Sequence, residues 1–228
     1  TGYPPASIRN PPPPLAHALP APADDARRPL RAWMLYDVAS STYAAIVPSV
    51  LFALHFTADI AAGRPNAQAL WGITSAAALL VAGLVAPFAG AFADSRRAHT
   101  TVLLLATLLC CFATTLLPLP GTGQILFAAL VFVVAQVGYI VAMSVYDAYL
   151  ERLGPLAGGT ERLSARGWAV GFAGGIAALL VLLALPRDAH GAPAPALAFP
   201  VVALMFLVLA VPATRGLRDV HPPHDAEA

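Results

Sequence analysis

Six apolar runs, at about 32 to 58, 67 to 93, 99 to 118, 123 to 150, 165 to 186 and 194 to 213, are each long enough to cross a bilayer and together make up most of the chain. A hydrocarbon core roughly 30 Å thick needs about 20 mostly apolar residues in helical form. Lipid offers no partner to exposed backbone N–H and C=O groups, so a spanning segment either closes its own hydrogen bonds as a helix or joins a barrel. No ten-residue alternation of apolar and polar side chains marks a barrel strand. The expectation is an all-α membrane protein of six transmembrane helices. Composition agrees, at 58% hydrophobic and 11% charged residues with a mean hydropathy of +0.71, against about 25% charged in a soluble domain. The first, second and fourth runs are long enough to require tilt or a kink.

Every basic residue except histidine is arginine, and the arginines set the orientation. Arg9, Arg27, Arg28 and Arg31 precede the first run, and Arg96 and Arg97 follow the second. Arg152 and Arg162 lie between the fourth and fifth, with Arg166 at the start of the fifth, and Arg215 and Arg218 follow the sixth. Only Arg64 and Arg187 fall in the alternate loops. The positive-inside rule then places both termini in the cytoplasm. The absence of lysine and the abundance of Ala, Gly and Pro suggest a GC-rich coding bias, hence a bacterial inner membrane. Arg27-Arg28 reads as a topology anchor, because the helix after it is long and opens on Trp33, Tyr36 and Asp37. Residues 1–30 are Pro-rich and expected to form an extended cytoplasmic tail. Residues 31–213 form the transmembrane domain, and 214–228 a second tail. In that tail His221-Pro-Pro-His224 has no further ligand and is read as solvated chain rather than as a metal site. Cys110 and Cys111 are adjacent on a helix, point about 100° apart and are read as apolar filler.

Three runs carry polar or small faces that lipid does not select. At 100° per residue Asp37, Ser41, Ala44, Pro48 and His55 of the first run share a stripe, which is expected to face a water-accessible cavity or another helix. Pro48 should kink this run and free a carbonyl toward a solute. In the fourth run Gln136, Tyr139, Met143, Tyr146 and Asp147 share a sector, with Gln136 and Tyr139 near mid-depth, where an amide and a phenol bond a polar solute without a fixed charge. In the fifth run Gly167, Gly171, Gly174 and Ala178 form a ridge that lets a neighbouring helix approach closely. Tyr43, Gln136 and Tyr139 are the expected solute path. Asp37, Asp147 and Arg166 are the expected cytoplasmic gate, level with Glu151 and Asp94 in one ion-pair cluster. Asp37 is also the candidate for proton coupling, since burial favours the neutral carboxyl. Asp94 ends the second run, where the helix dipole is negative, and it calls for a positive group opposite.

Gly90-x-x-x-Asp94-x-Arg96-Arg97 between the second and third runs resembles the loop motif of the major facilitator superfamily. Trp33-x-Leu-Tyr36-Asp37-x-Ala-x-Ser41-x-Tyr43, Leu70-Trp71-Gly72, Tyr146-x-Ala-Tyr149-Leu150 and Ser164-x-Arg166-Gly167-Trp168-Ala-x-Gly171-x-x-Gly174-Gly175 narrow the likeness. Together they are similar to the branch of the autophagy-related vacuolar amino-acid effluxers and their bacterial relatives. The resemblance covers residues 31 to about 213. It implies movement of a small solute, with amino acids the leading class, by alternating access between two six-span halves, each built of inverted three-span repeats. The chain corresponds to one such half, the N-terminal one. A second six-span half, from the same gene or a partner chain, is the expected partner beside solute and lipid.

Two other classes are weighed. A membrane enzyme acting on lipid head groups would hold metal with several aspartates, and the flanking elements such an enzyme needs are missing around Gly90-x-x-x-Asp94. A non-transporting scaffold has no need of polar stripes on the first and fourth runs. No cofactor, metal or nucleic-acid partner is expected.

Overall fold

The computed structural model describes residues 23–218 and 220, and their regular structure is helical, with one isolated antiparallel bridge between Arg187 and Pro193. Six helices are long and apolar enough to cross a membrane, as an integral membrane protein requires: span one Arg27–Ile60, span two Ala67–Ser95, span three His99–Leu116, span four Ile125–Ala157, span five Thr160–Leu183 and span six Pro195–Gly216. An even number of spans puts both ends of the described chain on one side, here called the terminal end. Most of the Pro-rich tail lies outside the described residues, as do His221 and His224. Residues 23–30, expected to be extended, belong instead to a helix that begins at Ala23 and contains Pro29. Ala and Arg are good helix formers, and a proline in the second turn removes a single amide donor.

Span one is not one regular helix. Its α-helix Ala23–Ala44 gives way to a π turn at Val47–Leu51, a short α segment Phe52–His55 and a second π turn at Phe56–Ile60. Pro48 has no N–H to return to Ala44, and the Ser49 hydroxyl donates to the Ala44 carbonyl instead, at 3.2 Å. The carbonyl expected to turn toward a solute is therefore already occupied. The chain re-enters helix through the wider i→i+5 bond from Leu51 N–H to Ile46 O, the bonding that defines a π turn.

The spans interlock across sequence halves. Span four packs between spans two and three, span one packs between spans five and six, and span three meets span six. Exchanging spans one to three with spans four to six leaves every one of these pairings in place. Each unit has three spans, so the two run in opposite senses through the bundle. Close approach depends on missing side chains. At Gly138 of span four a Cβ would lie 2.7 Å from the Cys110 amide nitrogen and 2.8 Å from the Ala106 carbonyl oxygen of span three. The core seam runs along spans one and four as a column of rings: Trp33 on Tyr146 at 4.7 Å, Tyr36 beside Tyr146 at 5.2 Å, Tyr43 beside Tyr139 at 5.0 Å, and Phe52 on Phe132 at 4.9 Å. Spans two and five bury least of themselves, 17% and 28% of their apolar windows against 39–44% for the others.

Candidate functional site

Midway along the ring column, Tyr43 donates its hydroxyl proton to Gln136 Oε1 at 3.0 Å. Tyr43 is fully buried and Gln136 nearly so. Tyr139, three residues along the same helix face as Gln136, lies tilted against the Tyr43 ring. The three residues assigned to the solute path are therefore neighbours, held by the two spans that open the two interlocked units. The amide N–H groups of Gln136 and the hydroxyl of Tyr139 have no protein partner in the hydrogen bonds of the described residues. An amide and a phenol so placed offer both donors and acceptors.

On the flank of span one that faces span five, Asp37, Ser41 and Ala44 line an open groove of about 390 Å³ with Trp168, Gly171 and Phe172. Asp37 is half-buried. Its carboxylate and the Ser41 hydroxyl lie over Gly171, where a Cβ would come 2.5 Å from Asp37 Oδ2 and 2.8 Å from Ser41 Oγ. The glycine floor continues through Gly167 beneath Trp33 and Gly175 beneath Ala45, while Gly174, expected on the same ridge, meets Val38. The Tyr146 hydroxyl is buried without a hydrogen-bond partner among the described residues. The Asp37 carboxylate lies close to it without meeting hydrogen-bond geometry.

His55 leaves the stripe to which a regular wheel assigns it. It is buried against Phe52 and Phe199, well away from the groove residues. The π turn at Val47–Leu51 takes more residues per turn, so a reading at 100° per residue loses register beyond Ala44.

The ion-pair cluster expected at the terminal end is not formed. Asp147, Glu151 and Arg166 are exposed, and no salt bridge among the described residues joins Asp37, Asp147 or Arg166 to another side chain. Asp94 meets a histidine rather than an arginine: His99 Nε2 lies 2.6 Å from Asp94 Oδ1 across the turn between spans two and three. Arg152 of span four reaches the same nitrogen at 3.1 Å and lies over the Tyr149 ring. Tyr149 in turn shares a hydrogen bond with Thr100 at 2.9 Å. Arg96 and Arg97 are exposed and make no salt bridge among the described residues. Gly90 is half-buried, and a Cβ there would meet Ser144 only at 3.8 Å. Arg97 takes a left-handed φ of 50°, closing span two with Ala98 N–H bonded to Ala93 O and Arg97 N–H to Asp94 O. This is a Schellman closure with arginine where glycine is usual.

His99 and its link to Arg152 escaped the sequence reading. The only signal is spacing, a histidine five residues past a helix-terminal aspartate. Among the described residues no group of three His, Cys, Asp or Glu side chains is placed to hold a metal ion. Comparison with family models, curated proteins and solved structures finds no match for this chain.

Proposed function

We propose that this chain is a secondary transporter, or the N-terminal six-span half of one, that moves a small solute across a membrane by alternating access, with amino acids as the leading class. The observation that carries the reading is the buried Tyr43–Gln136–Tyr139 tier at the meeting of spans one and four. A polar tier at mid-depth is costly in a protein whose only task is to sit in lipid, and intramembrane polar groups mark solute pathways. The interlocked three-span units support it, because inverted repeats place a binding site near the bilayer midplane at their interface.

In this reading the outward faces of spans two and five, the least buried, receive a second six-span half. Asp37, on the groove beside span five, is the proton-coupling candidate. Asp147 and Arg166 serve as separate exposed charges at the cytoplasmic mouth. The membrane is a bacterial inner membrane and both termini are cytoplasmic, in keeping with the arginine distribution.

The test is uptake of a radiolabelled amino-acid mixture into liposomes holding the chain alone or with a second half. Saturable uptake that needs the second half and is lost in Gln136→Leu is the expected result. Uptake in neither sample overturns amino acids as the solute class, and Gln136→Leu transporting normally overturns the site.

A further inference from the structure

At the end of the bundle opposite the termini, Asp59 ties span one to two loops, one through its carboxylate and the other through its backbone carbonyl. Asp59 Oδ2 lies 2.8 Å from His55 Nδ1 one turn back on span one, and Asp59 Oδ1 lies 3.1 Å from His190 Nε2 in the loop between spans five and six. The Asp59 carbonyl accepts the Thr122 hydroxyl at 3.0 Å, and the next carbonyl, of Ile60, accepts Gly123 N–H at 2.7 Å, both from the loop between spans three and four. His190 is held in position. Asp188 Oδ1 accepts its amide N–H and that of Ala192, Gly191 turns the chain at φ 74°, and Arg187 bridges Pro193.

The two imidazoles differ in what surrounds them. His55 is buried against Phe52 and Phe199, and its Nε2 has no partner among the described residues, so a proton there would have nothing among them to bond. Its ring is best placed to donate from Nδ1 and orient the carboxylate. His190 is about half exposed and Asp59 about a third. A proton from the surrounding water reaches His190. With that proton the contact is a charge-assisted pair, roughly twice as strong as a neutral hydrogen bond. Histidine is the side chain that changes charge in the physiological range. The other charged groups nearby do not compete for Asp59. Asp188 faces backbone amides, Arg187 donates to the carbonyls of Gly191 and Leu183, and Arg64 in the adjoining turn is exposed and makes no salt bridge among the described residues.

We infer that His55, Asp59 and His190 form a proton-binding latch that fastens the loop between spans five and six to the end of span one, and that the latch loosens when His190 gives up its proton. The second π turn, Phe56–Ile60, carries Asp59 to this position, and such turns recur at functional sites. In the orientation proposed above, the latch faces the outside and reads external acidity. The inference does not depend on which solute moves, or on whether one does.

Nitroxides attached at Ala62→Cys and Ala189→Cys, both exposed positions flanking the latch, report its closure by dipolar broadening. The native Cys110 and Cys111 are buried and should remain unlabelled. In the detergent-purified full chain, strong broadening at pH 5.5 should fall by half or more at pH 8.5. His190→Gln, a change at an exposed side chain, should give the weak broadening at both pH values. Equal broadening of the unsubstituted latch at the two pH values overturns the inference. So does a pH response that survives in His190→Gln.

Discussion

Replacing Gly171 tests the contact on which the candidate groove is built. A Cβ there would lie 2.5 Å from Asp37 Oδ2 and 2.8 Å from Ser41 Oγ, well inside contact distance, and the obstructing atoms belong to side chains one turn apart on span one. Alanine already forces Asp37 to swing. Leucine adds three more carbons and must push span five off span one. Overpacking of this kind costs about 1–3 kcal/mol, and the gain in helix propensity from losing a glycine returns at most about 1 kcal/mol. Gly171→Ala should thus lie between neutral and about 2 kcal/mol destabilised, and Gly171→Leu near the top of the range or beyond. Gly83 in span two is the internal control, because nothing lies within 4 Å of a Cβ added there. At about 2–4 °C per kcal/mol for a domain of this size, detergent-purified Gly171→Leu should melt several degrees below Gly83→Leu. Equal melting temperatures for the two variants would mean that span five does not rest on Asp37 and Ser41, and the groove would lose its floor.

Further outcomes test other parts of the structure and its orientation. With single cysteines in an otherwise Cys-free chain, an impermeant thiol reagent applied to intact cells should label the 187–193 loop and spare residues 95–98; the opposite pattern would invert the proposed topology. Arg97→Gly should raise stability by about 1 kcal/mol, since an L side chain at φ 50° is strained where glycine is not; a lower melting temperature would show that the arginine side chain does more than occupy the turn. His99→Phe keeps the ring near Tyr149 but takes the shared nitrogen from Asp94 and Arg152. A loss of about 1 kcal/mol is expected, because Asp94 is mostly exposed and only the Arg152 guanidinium is left part-buried without its partner, and a variant as stable as the parent would make the contact incidental.

The six spans were readable because membrane crossing is a property of composition and length, and both lie along the chain. Tyr43, Gln136 and Tyr139 stood out because a helix in lipid has few reasons to carry an amide and phenols at mid-depth, but the hydrogen bond that joins Tyr43 to Gln136 across two spans had no signature in the sequence. Two further kinds of feature were not readable. His55 was misplaced because the wheel assumed one helical period through Pro48; the proline announces a kink there, but not that the kink is a π turn at Val47–Leu51 that shifts every later residue around the helix. The closing contacts at both ends were hidden for a different reason. His99 meets Asp94 only once the turn at Arg97 folds the chain back, and His190 lies 131 positions from Asp59. Charge pattern alone favoured the abundant arginines as partners, yet a long flexible guanidinium gains little from an exposed pair, and it was the shorter histidines at tight turns that met the carboxylates.

Those two histidine–aspartate contacts bear on how the bundle could open. Asp94 and Asp59 each stand near the C-terminal end of a span, where the helix dipole opposes a negative charge and a nearby cation offsets the penalty. At the terminal end the carboxylate is 70% exposed and its imidazole is buried, with Arg152 approaching the same ring nitrogen. At the opposite end the imidazole of His190 is the more exposed partner, 47% against 36% for Asp59. The contact at the terminal end therefore seals its imidazole from water, and the contact at the opposite end leaves its imidazole open to it. If the chain works by the alternating access proposed above, in which one end must weaken while the other holds, this asymmetry puts the more accessible closure at the end opposite the termini, where the loop between spans five and six rests on Asp59 through the exposed side chain of His190.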